Sequence, residues 1–233
     1  MFDLKKIFII ILSFILTFVT CFAVNTIGKE TKTANYSLKN NRVNLVIDAG
    51  HGGIDAGTIG VDSAKEKDIN LSIALKLYDF AMVTGIPSLM IRDGDYLYYR
   101  DGDNKKKSDL YNRMDYINSI PNSTLISIHQ NHFEDEREWG MQVWYSPNDD
   151  KSKSIADNIL NITKENLQKD NERLNKQSDN SYYLLYKAQV PSVMVECGFM
   201  SNAAENKKLQ DNKYQNDLAY SIMLGFGRYL TED

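Results

Sequence analysis

The sequence predicts a single α/β domain in which a mostly parallel twisted sheet carries helices on both faces, preceded by an apolar N-terminal helix. Two observations lead there. Short runs rich in Val, Ile and Leu alternate along the chain with longer segments whose apolar residues recur every three or four positions. Strands separated by helices are joined by crossovers, so they run parallel and leave both sheet faces to be covered.

The first strand is read over residues 43–48 (VNLVID), which run into the Gly-rich turn AGHGG. A helix follows over 67–80, with Ile69, Ile73, Leu77 and Phe80 on one face, and Gly85 stops it. Residues 87–91 (PSLMI) form the second strand. Ser108 is read as the cap of a second helix that passes through Tyr111, Met114 and Ile117 to Pro121. Strands are expected over 124–129 (TLISIH), 141–145 (MQVWY) and 192–196 (SVMVE), with a helix over 151–167. A last helix carries Leu218, Ile222, Phe226 and Tyr229.

Ahead of this domain, residues 1–24 read as an export segment. Lys5 and Lys6 precede the uncharged run IFIIILSFILTFVTCFAV, whose length lies between a signal-peptide core and a short membrane helix. The basic flank holds that end in the cytoplasm, so the rest should face outward, at the outer side of the cytoplasmic membrane. Retention as an anchor and cleavage as a signal both stay open, because Cys21-Phe22-Ala23 is a poor small-x-small site, and Cys21 lacks the residues usual before a lipidated cysteine. Residues 25–41 are polar and unpatterned and read as a linker to a domain over 42–233.

Composition narrows the function. A hydrophobic fraction of 42% sets the chain apart from disordered ones. With 31 acidic against 27 basic side chains it lacks the basic excess that a nucleic-acid reader needs. Two distant cysteines support neither a disulfide framework nor a four-thiolate zinc site. No G-x-S-x-G, G-x-x-x-x-G-K or H-E-x-x-H occurs.

Four groups fall where an open α/β sheet places its site, beyond the carboxyl ends of the strands. His51 follows the first strand, His129 closes the third, Glu196 closes the fifth, and Glu66 opens the helix after the His51 loop. Taken singly, a histidine is usually a hydrogen-bonded structural residue, and Glu66 could serve only its helix dipole. Together they supply what a hydrolytic zinc site needs, namely three imidazole or carboxylate ligands, an open position for water and a spare carboxylate to move its proton.

These segments resemble the zinc-dependent N-acetylmuramoyl-L-alanine amidases of bacterial cell walls. VIDAGHGGIDAGTIG (46–60) is similar to that family's opening metal motif, with Ala49 where proline is usual, and KEKDINLSIALKL (65–77) to its glutamate-ligand segment. LISIHQNH (125–132) resembles its Ser-Ile-His-x-Asn motif, and PSVMVECGFMSN (191–202) its closing segment. The resemblance implies that His51, Glu66 and His129 bind Zn2+ and that Glu196 is the general base and acid. It implies peptidoglycan as the substrate, cut between the lactyl group of muramic acid and the first alanine of the stem peptide. A single catalytic domain behind an export segment, without wall-binding repeats, is most similar to spore-cortex amidases.

Other residues are read more plainly. His132 is outside the family motif and is expected to be a solvent-exposed loop residue, while Asn131 matches the motif and either orients a ligand or makes a loop hydrogen bond. Arg92 and Arg113 are expected to be structural, and Cys197 a buried small hydrophobe on the strand face opposite Glu196. Residues 93–109, with Tyr96, Tyr98 and Tyr99, are expected to form a solvated loop, a candidate substrate rim or partner surface. Two rivals stand beside the amidase. A non-catalytic peptidoglycan-binding module would have no use for a spare base, and a cysteine hydrolase would need an imidazole beside Cys197. A need for an accessory protein partner stays open.

Overall fold

The computed structural model describes residues 44–99 and 104–232. The export segment and linker expected over 1–41, the first strand's start at residue 43 and the centre of the charged loop, 100–103, lie outside the described residues. Strand β1 (Asn44–Ala49) pairs in parallel with β2 (Ser88–Met90) on one side and with β3 (Ser123–Asn131) on the other. Next to β3, again parallel, lies β6 (Ser192–Phe199), and beyond it β4 (Gln142–Tyr145) and the two-residue β5 (Lys176–Gln177), giving the order β2-β1-β3-β6-β4-β5.

The connections explain the directions. Helix α1 (Glu66–Thr84) carries the chain from β1 to β2, and α2 (Lys105–Asn118) from β2 to β3. The ten residues between β3 and β4 hold no helix, and β4 pairs antiparallel to β6. Without a crossover element the chain can only turn back, so the sheet is mostly rather than wholly parallel. Helix α3 (Lys151–Asn166) leads to β5, α4 (Tyr183–Lys187) to β6, and α5 (Ala203–Leu209) with α6 (Asn212–Tyr229) closes the chain.

Both sheet faces are covered, in layers set by the period-two alternation of strand side chains. Leu45, Ile47, Ile126, Ile128, Val193, Val195 and Cys197 pack with Ile73 and Leu77 of α1, Ile155 and Ile159 of α3, and Ile222 and Phe226 of α6. Each such side chain, wholly withdrawn from water, contributes about 1.5–3 kcal/mol. The other face is thinner, with Val46 and Leu125 packed under Met114 and Ile117 of α2 and Leu184 of α4. Continuing along that thinner face toward the strand ends come Asp48, Ser127, His129 and Glu196. The apolar cover gives out there and polar chemistry takes over.

Several boundaries differ from expectation, and β6 runs past Glu196 to Phe199, so Glu196 lies within its strand and does not close it. Helix α2 is capped by Asn104, whose side chain accepts from the Lys107 N–H, so Ser108 lies in the first turn instead. Strand β3 runs past His129 to Asn131, with a register shift between the two. The stop of α1 is as read, since Gly85 adopts the left-handed φ of 76° and its N–H reaches the Ala81 and Met82 carbonyls. At the far end of β6, the buried Glu205 carboxylate accepts from the Phe199 and Gly140 N–H groups and so ties the end of β6 to the entry of β4.

Candidate functional site

His51, Glu66 and His129 come together although 78 residues of chain separate the first from the last (129 − 51). One ligand atom from each lies within 4.8 Å of the others, a group able to hold a metal ion. His51 Nε2 is 3.2 Å from Glu66 Oε2, His129 Nδ1 is 2.9 Å from Glu66 Oε1, and the two imidazoles meet edge to face with centroids 5.0 Å apart. Glu66 is 2% exposed. It remains an anion there because its oxygens also accept from the Thr58 N–H, the Gln130 N–H and Asn70 Nδ2. Burial opposes that charge, but the two histidines outweigh it and hold the carboxyl below the usual carboxylate range. The same contacts act on His51. Burial disfavours its cation, yet Glu66 and Asp55 raise its pKa to about 9.

The Gly-rich turn is shaped by these side chains. A Cβ on Gly50 would sit 2.1 Å from His129 Nε2, and one on Gly57 would sit 2.6 Å from Glu66 Oε2. Only glycine lets the backbone pass so close to the imidazole and the carboxylate. His51 itself has a φ of +62°. A non-glycine residue in that region costs of order 1–3 kcal/mol and persists only where neighbours impose it.

Two buried arginines do so. Arg92, 1% exposed, donates to the carbonyls of Ala49, Gly50, Lys67 and Gly94. Arg113 donates to the His51 carbonyl at 2.7 Å and the Ala49 carbonyl at 2.9 Å, and pairs with Asp48 at 2.5 Å and Asp109 at 2.9 Å. Asp48 accepts in turn from Ser127 Oγ at 2.6 Å. Burial would raise the Asp48 pKa, but Arg113 above all holds it below its ordinary value. The arginines therefore fix the backbone on which His51 stands.

Glu196 lies opposite His129 in the β3–β6 register. It is 9% exposed, and its Oε2 is buried without a hydrogen-bond partner. Burial, reinforced by the Glu66 charge and opposed by His129 and His51, raises its pKa to about 7. A carboxyl poised near neutrality is suited to taking and returning a proton.

Asp55 went unassigned in the sequence, although a carboxylate four residues after His51 was there to see. Its Oδ2 lies 2.8 Å from His51 Nδ1, and it is held in turn by Lys106. His132 is exposed and outside the cluster, and the Asn131 side chain accepts from the His132 N–H. Residues 93–99 are mostly exposed, as expected of a solvated loop, but are anchored at two points. Leu97 is buried, and Asp95 binds both the Gly53 N–H and Lys67 Nζ, packing this segment against the His51 loop. Cys197 is a free thiol buried in the core, its pKa pushed up by burial, so it does not serve as a nucleophile.

Comparison with known proteins gives a consistent picture. The family model described as N-acetylmuramoyl-L-alanine amidase matches residues 45–228. The germination-specific N-acetylmuramoyl-L-alanine amidase of Bacillus subtilis (strain 168) is 31% identical over 192 residues, covering 81% of this chain and 80% of that protein. The CwlD amidase from Clostridioides difficile, solved in complex with the GerS lipoprotein, is 36% identical with a TM-score of 0.79, covering 82% of this chain and 100% of that one. The N-acetylmuramoyl-L-alanine amidase AmiC2 of Nostoc punctiforme is 27% identical with a TM-score of 0.70, covering 81% and 97%.

The Arg113 network yields a stability prediction. Arg113→Met leaves Asp48 buried without its cation and should cost about 3–5 kcal/mol at pH 7. Because the Asp48 pKa is depressed on folding, the stability it contributes is present above its ordinary value of 3.8 and is lost as pH falls through the depressed value. The gap between wild type and variant should therefore narrow in acid. Urea midpoints measured from pH 7 downward check this, and equal midpoints at pH 7 would refute it.

Proposed function

Because the chain belongs to the N-acetylmuramoyl-L-alanine amidase family, we propose that it is a zinc-dependent peptidoglycan hydrolase acting in cell-wall or spore-cortex maturation. The bond cut is the amide between the lactyl group of N-acetylmuramic acid and the L-alanine of the stem peptide. One observation carries the catalytic reading: beside a two-imidazole, one-carboxylate cluster stands a buried carboxyl, Glu196, with an oxygen that no protein group satisfies. A module that only binds peptidoglycan would bear the cost of that buried oxygen without using it.

The residues fit zinc. His51, Glu66 and His129 offer nitrogen and oxygen donors of the kind found in catalytic zinc sites, and three protein ligands leave a position open. Asp55 on His51 Nδ1 supplies the carboxylate that orients a ligating imidazole and sets its tautomer. When bound there, zinc supplies Lewis-acid polarisation of the scissile carbonyl and acidifies water. Glu196 does the proton work. It removes a proton from the attacking water as the oxygen adds to the carbonyl carbon, and it delivers that proton to the alanine nitrogen as the C–N bond breaks. The products are a lactyl carboxylate on the sugar and a peptide with a free alanine amine.

The uncharged run behind Lys5 and Lys6 supports export to the outer face of the cytoplasmic membrane. The GerS lipoprotein in the CwlD complex supports extending the proposal to an accessory protein partner, which cross-linking in native membranes would capture or fail to find.

Mass spectrometry of purified peptidoglycan after digestion should show stem peptides with free N-terminal alanine. Glu196→Gln should keep its zinc while release falls by about 10²-fold or more. A variant with near-normal release would overturn the role of Glu196, and new reducing ends without free alanine would overturn the amidase.

His129→Ala should lose most of its bound zinc, whereas His132→Ala should keep nearly all of it. Elemental analysis showing equal losses would mean that the ligand set is wrong.

For location, the full chain should sediment with membranes while a chain starting at residue 42 stays soluble and folded. A native product soluble in the medium and beginning near residue 24 would replace the anchor by a cleaved signal.

A further inference from the structure

Outward from Glu196, on β4, β5 and the start of α4, lies a group of side chains that the chemistry above does not use. Gln142 of β4 is the register partner of Glu196, and Trp144, two residues on, shares its sheet face. Tyr182 stacks on the Trp144 ring at 4.5 Å and 28°. Lys176 of β5 is the register partner of Trp144 and holds its ammonium 5.3 Å from the centre of the indole.

Two features of this group point to a ligand. Trp144 Nε1 is buried with no hydrogen-bond partner, as is Glu196 Oε2 on the neighbouring strand. Native structures rarely leave buried polar groups unmet, so these two adjacent ones call for an explanation. Lys176 is exposed and makes no ion pair among the described residues. The exposed Asp179 carboxylate accepts from the backbone N–H and hydroxyl of Ser181, and its charge acts on Tyr182 but makes no ion pair with Lys176. The group lies close to the reacting centre, since burial and then the Glu196 charge push the Tyr182 phenol up to about 12.

We infer that Trp144, Tyr182 and Lys176 form a subsite for the peptide arm of the substrate, with Lys176 pairing to a carboxylate of the stem peptide just beyond the alanine. The assignment rests on the amidase reading and deepens it. Indole N–H and ammonium donate but do not accept, and the ammonium adds a fixed positive charge. An uncharged sugar face, whose hydroxyls need acceptors as well, matches this set less well than a carbonyl-rich, anionic peptide. The aromatic pair gives a rigid wall for the peptide and keeps the lysine over the indole.

The test measures selectivity, which a merely structural role would not move. Full-length zinc-loaded enzyme is assayed on N-acetylmuramoyl-L-alanyl-D-glutamate and on its amidated counterpart, which lacks the free carboxylates. Wild type should prefer the acid by about tenfold in kcat/KM, the size of one charge-assisted contact. Lys176→Gln should bring the ratio near one, Lys176→Arg should restore it, and Lys176→Glu should invert it. Zinc content and thermal midpoint confirm that each variant is folded and loaded. A wild-type ratio near one, or a ratio unchanged in Lys176→Gln, would overturn the subsite while leaving the amidase standing. Failure of wild type to release peptide from either substrate would instead remove the amidase reading, and the subsite with it.

Discussion

The buried carboxylate of Glu66 is the interaction on which the rest of the site depends. An isolated carboxylate taken out of water costs several kcal/mol, so its surroundings must supply compensating donors. Here they come from three parts of the chain: His51 and Thr58 from the loop after β1, Asn70 from the next turn of α1, and His129 and the Gln130 N–H from the end of β3. Each constrains a backbone path. The loop must fold back over the start of α1, which requires glycine where it meets the imidazole of His129 and the carboxylate itself. The end of β3 must bring a side chain and the following N–H to one oxygen, and the register shift after His129 lies at that point.

Rigidity comes from beneath. Arg92 and Arg113 spend nearly all their donors on backbone carbonyls and buried aspartates around the turn after β1. That arrangement holds His51 in a left-handed conformation that it would not adopt freely. Glu196 is placed by a different device, a fully buried central strand whose far end is tied by Glu205. Glu196 thus stands on the strand paired with the one that carries His129, so the sheet fixes the two relative to each other.

Much of this could be read from the residues because it rests on local signals. Alternating apolar runs marked β1, β3 and β6, and periodic spacing marked α1 and α6. His51, His129 and Glu196 stood out because they follow, or lie near the ends of, strands that were already legible. Asp55 was overlooked because a carboxylate four residues from a histidine in a Gly-rich loop is also what a solvated turn looks like. Strand β5, with two residues, and α4, with five, are too short to show any period. The group of Trp144, Lys176 and Tyr182 depends on β5 and on the reversed direction of β4, both products of tertiary pairing. No spacing in the chain announces it.

In the proposed metal centre His51, Glu66 and His129 are the ligands and Glu196 stands outside them. Diffraction from zinc-loaded crystals at the zinc absorption edge measures that directly. The expected result is one zinc ion with His51, Glu66 and His129 at about 2.0–2.2 Å and Glu196 beyond bonding distance, facing the open position. Zinc bound through Glu196, or a second ion held by His132, would contradict it.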